Sequence, residues 1–181
     1  MIKQIFAILF VISLFFYRAS ACEDSLIVWL EDYKLSWSDF KGKAPKNETA
    51  ESTLIYVKIK TKGEWKDDMP NYKVYTYFDP FKSWTLDSVS TLLISHEQLH
   101  FDIAELYSRK IRKVIGKLRN SRENNPDVYV EEINRIMQEY AVYQEEYDNQ
   151  TKHGTSIKKQ EEFNTLIRKE LESFEEYKFE Y

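Results

Sequence analysis

Hydrophobic residues change their spacing partway along the chain, and that change restricts the fold to strands first and helices after. Apolar and polar residues alternate from Leu54 to Ile59, and YKVYTYF (72–78) repeats the pattern, the period of a half-buried strand. Lys62 and Gly63 read as a turn, and DPF (79–81) ends the second strand. From about Leu86 the period lengthens. Leu92, Leu99, Ile103, Tyr107, Ile111, Val114 and Leu118 then fall on one stripe at helical spacing. SRENNPD (121–127) closes that helix, with Asp127 the expected N-cap of the next one after Pro126. The second helix is expected to reach about Tyr147, with DNQTKHGT (148–155) as a loop. A last amphipathic helix follows, carrying Ile157, Phe163, Leu166, Ile167, Phe174 and Tyr177. Ahead of the strands, WLEDYKLSWSDFKGKAP offers Trp37 and Phe40 as anchors. The expected class is α+β: a small antiparallel sheet, an antiparallel helical hairpin and a C-terminal helix.

The start of the chain bears on where it works. MIKQ is basic, IFAILFVISLFFY is an apolar run of 13 residues, and ASA precedes Cys22. That order describes a secretory signal peptide over residues 1–21, with one domain over 22–181. The run is short for a membrane span. Cys22 is the only cysteine, so no intramolecular disulfide can form. ASA suits ordinary signal peptidase. A small residue before a lone cysteine also resembles a lipobox, which would lipidate Cys22 and anchor the protein to a membrane. Export, to the periplasm or beyond, is the expectation. Removing 1–21 leaves 24 basic against 30 acidic residues. A chain of that sign without a dense basic patch is not expected to bind nucleic acid.

His96, Glu97 and His100 have the spacing HExxH. On a helix, residues four apart share a face, so both imidazoles can hold one metal ion. Glu97 is turned by about 100°, where it can take a proton from a zinc-bound water as that water attacks a carbonyl. The histidines fall within the arc of Ile103, Tyr107, Ile111 and Val114, so they are expected to face the core. Asp102 and Glu105 fall on the far side of the wheel and are expected to face solvent.

The third ligand has to come from elsewhere. Helices from His100 to about Arg119 and from Asp127 to Tyr147 each rise roughly 30 Å. An antiparallel pair therefore returns the chain to His96 and His100 at YDNQTKHG. That segment holds His153, the last of three histidines, and Asp148. His153 is the expected third ligand and Asp148 the alternative. Whichever does not bind metal can orient a neighbour or stabilise an oxyanion, a role also open to the Tyr147 hydroxyl. Gly154 permits a sharp exit from the loop.

SWSDFKGKAP, then HEQLHFDIAELYSRKIR, then YDNQTKHG, in that order, resemble a bacterial family of unknown function described as predicted secreted zinc-dependent proteases. The resemblance implies a zincin-like domain, bound Zn2+, export, and a peptide or protein substrate. In that architecture an extended peptide can add to an edge strand beside the metal-binding helix, and YKVYTYF is the expected strand. The function expected is a zinc metallopeptidase with Glu97 as general base. Two others use the same residues: an envelope scaffold with a structural zinc, and a zinc hydrolase of non-peptide amides.

Overall fold

The computed structural model describes residues 25–47 and 53–179. The expected signal peptide and Cys22 lie outside the described residues. The chain is α+β, as its two periods require. Strands β1 (Ile27–Val28), β4 (Met69–Phe78) and β3 (Val57–Lys66) form one antiparallel sheet in the order β1-β4-β3. Two short strands, β2 (Thr53–Leu54) and β5 (Trp84–Thr85), pair separately. Three helices follow: α1 (Thr91–Asn120), α2 (Pro126–Thr151) and α3 (Ile157–Ser173).

The expected turn at Lys62 and Gly63 is not where the hairpin reverses. β3 and β4 stay paired from Val57↔Phe78 to Lys66↔Met69, and the turn is Asp67–Asp68, with φ of 55° and 58°. Two consecutive positive φ values make the two-residue hairpin turn whose twist matches that of the strands. Gly63 faces Tyr72 instead, and a Cβ there would stand 3.1 Å from the Tyr72 ring. The glycine leaves room for an aromatic neighbour within the ladder.

β4, the expected substrate strand, has no free edge over its second half. β3 lies along one side, and β1 pairs with Tyr77 and Phe78 on the other. Trp29 N–H then donates to the Thr76 carbonyl, and Arg112 donates twice to the Val74 carbonyl. A peptide cannot add there. The strand segment that does border the cleft described below is Thr53–Val57.

α1 is buried on nearly every side along its middle. The inner face of the sheet (Ile59, Val74, Phe78) covers one side of it, and α2 and α3 cover the other with Ile133, Ile136, Tyr147, Phe163 and Ile167. This overturns the expectation for Asp102 and Glu105. Asp102 is half-buried and accepts from Trp29 Nε1 and Gln98 Nε2. Glu105 is 1% exposed and accepts from Thr76 Oγ1, Arg109 Nε and Arg112 Nη1 at 2.8–3.1 Å. A helical wheel assumes one wet side, and a helix sandwiched between two layers has none.

α2 starts with Asn125 as its N-cap, its side chain accepting from Asp127 N–H, and Pro126 in the first turn. The cap is therefore two residues ahead of the expected Asp127, because Pro126 has no N–H and fits the first helical position. The far end also differs. α2 continues through Thr151, so Asp148 sits on its last turn and not in a loop. Lys152, His153 and Gly154 follow with φ of 52°, 51° and 80°. The first two are left-handed without being glycine, a conformation that costs about 1–2 kcal/mol per residue.

Candidate metal centre

The antiparallel pairing of α1 and α2 brings Asp148 to His96 and His100. Their Nε2 atoms are 3.1 Å apart, and Asp148 Oδ1 lies 3.1 Å from His96 Nε2 and 2.9 Å from His100 Nε2. Donors 2.0–2.1 Å from one tetrahedral zinc ion stand about 3.3 Å from each other. The triangle thus has nearly the spacing a single ion imposes. Its chemistry also fits, since zinc takes imidazole nitrogen and carboxylate oxygen. So does its charge: Glu97 and Asp148 bring two negative charges to imidazoles that are neutral when they ligate, and a divalent cation balances them.

Electrostatics in the metal-free chain follow from the same crowding. Burial lowers the pKa of His96, although its contacts with Asp148 pull the other way. Burial also pulls His100 down, but its hydrogen bond to Asp148 and the charges of Glu97 and Asp148 outweigh that and hold it above its ordinary value. Burial pushes Asp148 up, and hydrogen bonds from His100 and His96 more than reverse this, leaving it well below the usual carboxylate range. Glu97, 5% exposed, is pushed up to about 7 by burial, with the His100 charge opposing and Asp148 adding to the rise.

The centre opens into a cleft of about 590 Å³. His96, Glu97, His100 and Asp148 form its polar wall, and Leu54, Ile55, Val57 and Trp84 face them. Glu97 is next in sequence to a member of the triangle but is not part of it. Its side chain lines the same cleft as the triangle.

His153, the expected third ligand, lies outside the triangle. Its Nδ1 is 3.8 Å from Asp148 Oδ1, and its side chain is 78% exposed at the rim of the cleft. The extra turn of α2 explains the exchange. Asp148 projects from the helix between the imidazoles, while His153 falls past the helix end on left-handed backbone. Tyr147 is placed differently from the oxyanion role considered for it. Its hydroxyl lies 3.1 Å from the His96 carbonyl and 2.9 Å from Gln160 Oε1, and the residue is fully buried. Its ring stacks on His96 at 4.7 Å and meets the edge of His100 at 4.9 Å, so it acts as the floor beneath both. Gly154 does more than turn the chain: a Cβ there would come within 2.9 Å of the His96 side chain.

Two residues of the site were missed from the sequence. Gln144 Oε1 lies 2.5 Å from His100 Nδ1, and Gln160 Oε1 lies 3.2 Å from His96 Nδ1. Gln144 had a readable signal, because it is one helical turn before Asp148 just as His100 is one turn after His96. Gln160 had none, since it comes from a different helix, α3.

No curated protein and no solved structure matches the chain. Residues 78–154 match the family model described as bacterial protein of unknown function (DUF922). The match holds HEQLH and YDNQTKHG, and SWSDFKGKAP lies before it. The segment that supplies the whole triangle is thus similar to DUF922, a family of unknown function.

Proposed function

We propose that the protein is an exported zinc-dependent metallopeptidase with His96, His100 and Asp148 as its metal ligands. One observation carries this reading: three donor atoms stand 2.9–3.1 Å apart, a little inside tetrahedral spacing, beside a buried carboxylate that is not one of them. When bound, zinc supplies Lewis acidity, acidifying a water and polarising the carbonyl under attack. Glu97 takes the proton as the water oxygen bonds to the carbonyl carbon. It returns that proton to the leaving nitrogen as the C–N bond breaks. A base in this role must reach the water without binding the metal itself, and Glu97 lines the cleft outside the triangle. The segment Thr53–Val57 forms the wall along which an extended peptide would lie. His153, at the rim, is in position to donate to an oxygen of the bound substrate.

The test is zinc content by elemental analysis and cleavage of a mixed peptide library, for the protein lacking residues 1–21 and for its Glu97→Ala variant. Zinc at one equivalent in both proteins, with cleavage by the first alone, is expected. Zinc in both without cleavage would assign the metal a structural role. No zinc in the wild type would remove the centre.

A further inference from the structure

We infer that Gln144 and Gln160 are positioning residues that fix the tautomer of both histidine ligands, which makes the C-terminal helix α3 a working part of the metal centre. The inference rests on the metal reading above. Gln144 is oriented without ambiguity. Its Nε2 donates to the His100 carbonyl and to Tyr140 Oη, both at 3.0 Å, and a peptide carbonyl can only accept. Its Oε1 therefore faces His100 Nδ1, and the ring must supply the proton. Gln160 is held by side chains instead: its Nε2 donates to Asn164 Oδ1 at 3.0 Å, which turns its Oε1 towards His96 Nδ1 at 3.2 Å and the Tyr147 hydroxyl at 2.9 Å, whose single proton goes either to Gln160 or to the His96 carbonyl. A neutral imidazole with its proton on Nδ1 has its lone pair on Nε2, the atom each ring contributes to the triangle.

Both partners are amides, where a carboxylate is a common alternative. A carboxylate at either position would add a third negative charge to those of Glu97 and Asp148. The amides accept the ring protons and leave the charge at what a divalent cation balances.

The two glutamines also differ in origin. Gln144 lies inside the family-matched stretch 78–154, whereas Gln160 lies beyond it on α3. Phe163 and Ile167 are buried in the main core, and Phe163 packs edge-on against Tyr147 at 5.1 Å. That docking holds Gln160, 2% exposed, against His96. The segment that supplies the ligands thus depends on a helix outside itself to orient one of them.

The test compares zinc affinity, by competition with a chromogenic chelator, for wild type, Gln160→Leu, Gln160→Glu and Gln144→Leu. Unfolding of each metal-free protein is measured alongside. Each leucine variant should lose roughly 10–100-fold in zinc affinity. Gln160→Glu should keep wild-type affinity or exceed it, because a carboxylate still accepts the Nδ1 proton, even though its charge destabilises the metal-free fold. A packing role predicts the opposite order, with leucine tolerated and glutamate not, and that order would overturn the inference. Wild-type affinity in Gln144→Leu, a half-exposed position that tolerates change, would overturn it for His100. If the wild type binds no zinc, the metal reading fails first and this inference with it, before any variant is compared.

Discussion

Two clusters of buried charge share helix α1, and they end differently. In the first, Glu105 meets Arg109 and Arg112, and Arg109 also donates to Glu175 and to the Leu171 carbonyl. Two carboxylates and two guanidiniums cancel, and the cluster ties the sheet, α1 and the C-terminal segment together. In the second, Glu97 and Asp148 stand among His96 and His100, and among the described residues no lysine or arginine is in the triangle or on the cleft wall. Charge that is closed by its own side chains is structure. Donors that converge with only an imidazole to offset their carboxylates, and that open to a cleft, are what the proposed zinc centre would use.

Each variant below strikes one cluster and should spare the other. The largest effect is expected from Asp148→Ala, which should weaken zinc binding by more than the 100-fold typical of outer partners. Direct titration of zinc into the folded variant measures it, and a loss confined to threefold would return the third ligand to His153. Next is Glu105→Gln, which leaves the buried Arg109 and half-buried Arg112 short of a counter-charge and should cost about 3–5 kcal/mol in urea unfolding. Zinc bound per folded molecule should not change. Metal removal comes third: zinc at 100 times its dissociation constant should stabilise the fold by about 2.7 kcal/mol. Chelator should abolish that gain, and an unfolding curve indifferent to zinc would count against the centre. Gly154→Ala should cost about 1–2 kcal/mol through its positive φ. It should also lower zinc affinity, because the new Cβ displaces the His96 ring; unchanged affinity would show that the ring gives way freely. His153→Ala should be smallest, altering zinc affinity by no more than about threefold on the basis of a ligand set that excludes it.

Much of this arrangement was legible beforehand, because helices have a fixed rise and a fixed twist. The stripe from Leu92 to Leu118 gave the inward direction of His96 and His100, and the equal lengths of two helices gave the return of YDNQTKHG. What failed has physical causes. His153 is preferred to Asp148 because histidine is the commonest metal ligand, with both expected in one loop; the extra turn of α2 separates them and reverses the choice. Asp102 and Glu105 were misread because hydrophobic periodicity cannot reveal a polar face that is covered by a sheet and neutralised by arginines. Gln160 carries no signature, since its partner is 64 positions away.

Asp148 lies 52 positions from His96, with the rest of α1 and most of α2 between them. An unfolded chain therefore offers a metal ion only donors that are near in sequence, such as His96 and His100, a weaker chelate than the closed triangle of the proposed centre. Occupancy of the centre then counts folded molecules, so spectroscopic signals from a bound probe metal and from the backbone should disappear together during denaturation.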